Sequence, residues 1–365
     1  MTPAPIAIPQ ATLDRIHVRV ADAVIGYAPD DDAGAWQYGV DARWLAGLRD
    51  HWRDRYDWRS AEARFNEWPS FEAEIDGVAI HFIHARAVGG DGYPLLLTHG
   101  WPGSVLEFLA VIPLLVTQGY DVIVPSLPGY GFSGRPSRPI GPTRTAAMWR
   151  TLMIDVLGYR RFGAQGGDWG SMVTRALARD HCDVVGAIHL NMMSASGRAP
   201  VTPELTAYYA RVAELMAREG AYAAEHRTKP QTIGLALADS PIGFAGWVIE
   251  KCRSWSDCDG DVESIFSKDA LITNVMTYLV GGNVQAGIWM YRGMAGDPPF
   301  DRRIEVPTGF AEYPAEFMPP PPRDAMAVDL NLVRWTKMAK GGHFAAWEQP
   351  APFADEVGSF FNEWR

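Results

Sequence analysis

The sequence predicts an α/β protein, a mostly parallel sheet interrupted by a helical insertion and preceded by an N-terminal leader. Three observations carry this. Short apolar runs at 94–97 and 122–124, separated by stretches long enough for helices, read as strands buried on both faces. The strand pattern fails over about 192–300, where apolar positions recur at helical spacing, as in 205–215 and 271–280. It returns at 304–306 and 333–338, so the insertion divides one sheet into two halves.

Composition narrows the class. In 365 residues, 47% are hydrophobic and 21% charged, which suits an ordinary globular chain and excludes disordered, collagen-like and coiled-coil readings. Lys plus Arg number 33 against 43 Asp plus Glu, and the net charge of −10 repels nucleic acid and anionic membrane surfaces alike. The 14 tryptophans serve either a large aromatic core or a pocket for an apolar ligand. Cys182, Cys252 and Cys258 form no CxxC and no Cys/His cluster, so neither structural zinc nor a disulfide framework is expected. Residues 1–10 have no basic segment ahead of an apolar stretch, and the longest apolar run, 108–116, is too short for a bilayer and contains Pro113. A cytoplasmic location is expected, and a homodimer is compatible with the sequence.

In the leader, Trp44, Leu45, Leu48, Trp52 and Tyr56 recur at helical spacing and predict an amphipathic helix within 41–56. Phe71, Ala73 and Ile75 then alternate, as do Val78, Ile80 and Phe82, and Asp76-Gly77 between them marks a hairpin. A helix is expected over 104–116, a strand at 161–163, a helix over 171–179, a strand over 185–191 and a closing helix over 350–364. Pro319 to Pro322 reads as a rigid loop.

Gly166-Gly167-Asp168-Trp169-Gly170-Ser171 has the shape of a nucleophile elbow, in which a tight strand-to-helix turn needs small residues around the nucleophile. Here the nucleophile position holds Asp168, and the following helix would direct its positive end at that carboxylate. An N-cap role for Asp168 or a nucleotide loop are the competing readings, although GxGxxG spacing and a Gly-Lys-Ser/Thr signature are both missing. His99-Gly100-Trp101-Pro102-Gly103-Ser104 follows a strand and precedes a helix, where backbone N–H groups emerge at the sheet edge as an oxyanion hole requires. The hole would use the N–H of Trp101 and of Trp169, leaving His99 as a structural histidine. Gly341-Gly342-His343-Phe344 follows the last strand, which suits His343 as a general base.

With these motifs, the chain resembles the microsomal or juvenile-hormone type epoxide hydrolases of the α/β-hydrolase fold. Asn66-Glu67-Trp68-Pro69, Pro128-Gly129-Tyr130-Gly131-Phe132-Ser133 and Val306-Pro307-Thr308-Gly309-Phe310 add to the resemblance, which runs from the leader to the last helix. It implies an α/β-hydrolase core over 93–191 and 301–365, a helical cap over 192–300, and a leader over 1–92 strapped across both. It further implies Glu316 as the acid that orients His343, with Glu312, Asp301 and Asp324 as competitors. Tyr222 and Tyr291 would hold the epoxide oxygen, with Tyr208, Tyr209 and Tyr278 in the same insertion. The expected substrate is a small hydrophobic epoxide, with no metal or organic cofactor. A haloalkane dehalogenase using the same Asp, His and acid, or a non-catalytic binding protein for a hydrophobic ligand, are the alternatives.

Overall fold

The computed structural model describes residues 1–32, 34 and 36–365. The chain starts with a short edge strand, β1 (Thr2–Pro3), and three helices, α1 (Gln10–Ala21), α2 (Ala42–Asp54) and α3 (Trp58–Phe65). Only α2 is anticipated in the sequence. Its stripe turns Leu45, Leu48 and Trp52 inward, and the Asp41 carboxylate caps it by accepting from Trp44 N at 2.8 Å. By contrast α1 buries only Ile16 and Val20, and α3 is eight residues long, so neither carries enough periodicity to stand out. Asn66 ties the leader together by donating to Ile6 O and accepting from Ile6 N, each at 2.8 Å.

The expected hairpin forms. β2 (Ser70–Ile75) and β3 (Val78–Ala85) pair antiparallel with Ile75 opposite Val78. Asp76 and Gly77 both take positive φ, 53° and 75°, the turn that matches the twist of its strands. β4 (Tyr93–Thr98) and β5 (Tyr120–Pro125) are the two apolar runs, buried along nearly their whole length. Between them the single helix expected over 104–116 is broken into a 3-10 turn at Val105–Phe108 and α4 (Ile112–Thr117). Pro113 lies in the first turn of α4 and has no N–H, so a continuous hydrogen-bond ladder cannot cross the segment.

After α5 (Pro142–Arg150), β6 (Phe162–Gly166) leads directly into α6 (Asp168–Asp180), which starts three residues earlier than the expected 171–179. β7 (Val185–Leu190) follows. Six helices then intervene before the sheet resumes: α7 (Pro203–Glu219), α8 (Ala221–Thr228), α9 (Pro230–Asp239), α10 (Pro241–Trp255), α11 (Lys268–Val280) and α12 (Trp289–Gly293). β8 (Ile304–Glu312), α13 (Arg323–Asp329), β9 (Leu330–Lys337), α14 (Ala345–Glu348) and α15 (Pro350–Phe361) complete the chain.

The strands form one sheet in the order β1-β2-β3-β5-β4-β6-β7-β8-β9. The leader strands are antiparallel, and from β5 to β9 every pairing is parallel. The leader therefore extends the sheet with its hairpin, while α1 and α2 pack on α10 and α11. Trp44 Nε1 donates to Glu263 at 2.8 Å, His51 Nε2 lies 2.7 Å from Asp269, and Tyr56 bonds Thr273 at 3.0 Å. Among the described residues no single helix is long and apolar enough to cross a membrane.

Candidate active site

Loops at the C-terminal ends of β4, β6, β8 and β9 converge, the edge at which parallel α/β sheets present their ligand sites. The turn between β6 and α6 holds Asp168 at φ 47°, a left-handed conformation that a non-glycine residue adopts at a cost. The surrounding glycines let the turn close. A Cβ on Gly170 would lie 1.9 Å from Thr98 O, and one on Gly100 would lie 2.1 Å from Asp168 Oδ1. Gly170→Ala should therefore destabilise the protein by about 1–3 kcal/mol or more, because the atom it meets is backbone. Thermal denaturation checks this, and a parent-like melting temperature would show that β4 and α6 are not held at contact distance.

Trp101 N donates to Asp168 Oδ1 at 2.8 Å, so one of the two nominated backbone donors is in place. Trp169 N–H makes no hydrogen bond to the carboxylate here; it belongs to the first turn of α6, where N–H groups lack intrahelical acceptors. On the other side, His343 Nε2 lies 3.4 Å from Asp168 Oδ2. His343 Nδ1 lies 3.0 and 3.1 Å from the two oxygens of Glu316. The Glu316 and His343 loops are joined by Ala315 N donating to Gly341 O at 3.1 Å, which fixes the pair in register. Burial disfavours a charged imidazole, but the Glu316 and Asp168 carboxylates together outweigh it and raise the His343 pKa well above its ordinary value.

The competing acids lie elsewhere. Glu312 accepts from Trp335 Nε1 at 2.8 Å, while Asp301 and Asp324 are exposed. His99 is buried, with Nδ1 3.0 Å from Gly100 O and Nε2 accepting from Leu127 N at 3.1 Å. Burial lowers its pKa to about 4, and it acts as a neutral brace for the 99–104 loop.

Both nominated tyrosines reach the site. Tyr222 from α8 stacks on Trp101 with centroids 5.1 Å apart, and Tyr291 from α12 meets Trp169 edge-on at 4.6 Å. The two rings are 5.9 Å apart, and with Asp168 and Trp169 they line a largely apolar cavity of about 440 Å³. Burial first, and then the Asp168 charge, raises the Tyr222 pKa; for Tyr291 burial is followed by Tyr222 and Asp168. Both phenols keep their protons at neutral pH. The other tyrosines do not compete: Tyr209 is exposed, Tyr208 packs with Leu205 and Ala325, and Tyr278 donates to Gly103 O at 2.5 Å.

Residues 1–108 match a family model described as the epoxide hydrolase N terminus, and 93–237 match the alpha/beta hydrolase fold. A protein of Stigmatella aurantiaca (strain DW4/3-1), whose own naming as an epoxide hydrolase is provisional, is 38% identical, covering 100% of this chain and 86% of that one. Epoxide hydrolase 1 of Oryctolagus cuniculus is 33% identical, covering 95% of this chain and 86% of its own. The chain belongs to the epoxide hydrolase family. The structure of Aspergillus niger epoxide hydrolase superposes with a TM-score of 0.89 at 33% identity, covering 100% of this chain and 96% of that one. Membership decides in favour of epoxide chemistry among the three readings open in the sequence.

For an epoxide hydrolase, the site contains groups that sequence reasoning passed over. Trp255, at the end of α10, stacks on Phe317 at 4.2 Å, and its carbonyl accepts from His343 N at 2.8 Å. Glu348 accepts from Gly342 N, Phe344 N and Asp257 N at 2.8–2.9 Å, clamping the His343 loop to the end of α10. Glu107 is also buried at the site. Its one signal in the sequence is a charge inside the apolar run Val105-Leu106-Glu107-Phe108-Leu109.

Proposed function

We propose that this epoxide hydrolase works through a covalent ester on Asp168, with Tyr222 and Tyr291 as donors to the ring oxygen and His343, oriented by Glu316, as base. The observation that supports it most directly is the line Glu316, His343, Asp168, whose last member lies in the wall of the cavity that Tyr222 and Tyr291 also line. Oδ1 of Asp168 is held by Trp101 N–H, so Oδ2 is the oxygen that attacks a ring carbon. The carbon–oxygen bond of the ring breaks as the ring oxygen takes a proton from a phenol. A phenol that retains its proton until an alkoxide develops is suited to that transfer.

Ester formation cancels the Asp168 charge, and with it one of the two carboxylates that hold a proton on His343. The imidazole becomes a better base when a base is needed. Water then adds to Cγ of Asp168 and gives a proton to His343, and the oxyanion is received by the N–H of Trp101 and, in this reading, of Trp169. Cleavage of the ester bond, with the leaving oxygen taking the proton from His343, releases the vicinal diol, and the proton left on Asp168 returns to the phenolate, which restores the carboxylate. Met172, Met192, Met216, Met294, Phe300 and Phe317 line the cavity, which fits a small hydrophobic epoxide.

Removing the hydroxyl of either tyrosine should slow ring opening roughly ten- to a hundredfold, equivalent to about 1.5–3 kcal/mol for a hydrogen bond to developing charge. The double variant should be far slower. Single-turnover alkylation by Tyr222→Phe, Tyr291→Phe and the pair is the measurement. If Tyr222→Phe alkylates at the parent rate, Tyr291 acts alone.

A further inference from the structure

Helix α6 carries Asp168 in its first turn and two buried arginines further along. Asp168, Met172, Arg175 and Arg179 follow one another at helical spacing and so share one face of the helix. The first three line the large cavity. Arg179 is fully employed: its guanidinium donates to both Asp180 oxygens, to the carbonyls of Pro298 and Pro299, and to Thr143. Arg175 is not. It is 2% exposed, yet among the described residues no oxygen accepts from it; Nε is buried without a partner, and Nη1 meets Met172 Sδ at 4.0 Å.

Neither neighbour that bears on Arg175 meets this need. Asp329 supports its charge through space, but that carboxylate accepts from Ser196 N and Oγ, at 3.2 and 2.6 Å, and pairs with Arg198. Phe300 lies under the guanidinium, 4.1 Å from Cζ to the ring centroid, a contact that favours the charge and leaves the N–H donors unmet. Burial lowers the Arg175 pKa to about 10, Asp329 opposes the fall and Arg179 adds to it, and the group stays charged at neutral pH. A buried cation with free donors is costly unless an anion completes it. Among the described residues lining the cavity, Asp168 and Arg175 are the charged ones, and the rest are neutral.

Their separation sets a length. Seven residues of helix rise roughly 10 Å, and the reach of Arg175 back to Met172 brings its guanidinium about one turn nearer the nucleophile, so the two ends lie about 5–10 Å apart along the axis. We propose that Arg175 selects an epoxide whose apolar body ends in a carboxylate, roughly four to eight extended bonds from the ring. The inference deepens, and rests on, the reading of Asp168 as the nucleophile. The guanidinium donates to both oxygens of the substrate carboxylate, Met172 and Phe300 cover the chain between, and the ring carbon is brought to Asp168 Oδ2. An ester or amide carbonyl at the same place accepts a hydrogen bond without neutralising the charge, and is held less well.

The experiment compares kcat/KM for a terminal epoxide carrying a carboxylate at that distance, its methyl ester and its hydrocarbon analogue, in the parent, Arg175→Met and Arg175→Lys. The parent should prefer the acid to the ester by about ten- to a hundredfold. Arg175→Met should bring that ratio to one or below, because the Asp168 charge then repels the acid unopposed, and Arg175→Lys should keep part of it, as a charge without the planar fork. The parent ratio and Arg175→Lys carry the test if Arg175→Met does not fold. A packing role would lower turnover of acid and ester together, so an unchanged ratio in Arg175→Met, or a parent ratio at or below one, overturns the proposal. An equal preference for glycidate, whose carboxylate is attached to the ring, would overturn it as well, since that anion cannot reach Arg175. Adduct formation by His343→Gln with the hydrocarbon epoxide does not involve the guanidinium, and its absence would overturn the ester reading itself.

Discussion

Asp168→Ala is expected to fold and to lose diol formation by on the order of 10⁴-fold or more, the scale on which removal of a covalent nucleophile is felt. Alanine has no oxygen with which to form the ester, and the Trp101 N–H and the two phenols remain to bind substrate without consuming it. A modest fall in stability accompanies the change, because φ 47° suits aspartate better than alanine. Asparagine tolerates that conformation, but its slow hydrolysis can regenerate the acid and restore activity. Steady-state diol formation by purified, folded Asp168→Ala is the measurement. Substantial activity there would falsify covalent catalysis by this residue.

His343→Gln should divide the reaction in two. Ring opening needs the carboxylate and the tyrosines, whereas ester hydrolysis also needs a base, so the variant should take up one equivalent of epoxide and stop. Intact-protein mass spectrometry should show the mass of one epoxide, and peptide mapping should place it on the segment carrying Asp168. Glu316→Gln should accumulate less adduct, since the imidazole stays in place but loses the charge that stabilises its protonated form. In the parent enzyme the hydrolysis step should quicken as pH rises through the His343 pKa of the ester, where only Glu316 still supports the proton, because only the neutral imidazole accepts one. An adduct on another residue, or none despite competent ring opening, would point to direct attack of water on the oxirane with Asp168 as its base.

The parts legible in the sequence are those whose chemistry is written in neighbouring residues. Small residues around Asp168 announce a tight turn, and the structure places that residue at positive φ with Gly170 against Thr98 O. Strands such as β4 and β5 show themselves as unbroken apolar runs because both faces are buried. Glu316 was reachable only through family resemblance: 27 residues separate it from His343, and a single bridge between Ala315 and Gly342 brings them together. Tyr222 and Tyr291 meet from α8 and α12 for the same reason, through packing that no local pattern encodes. Pro113 lies inside the helix expected over 104–116 and marks where the structure breaks it. Glu107 is the harder case, because a carboxylate in a short stretch reads by default as facing solvent.

The leader's attachments also set an order of events during synthesis. Trp44, His51 and Tyr56 find their partners 217 to 219 residues further along the chain. At translation rates of about 5–20 residues per second, the first helices leave the ribosome roughly 10–45 s before the surface they cover exists. Throughout that interval α2, which buries Leu48 and Trp52, lacks the helices α10 and α11 that it packs against. Refolding of the intact chain faces the same long-range closure, which slows folding and leaves apolar surface open to association in the meantime. Chaperone dependence during expression, and a refolding yield that falls with protein concentration, are thus the expected consequences of where the leader is encoded, independent of any chemistry at Asp168.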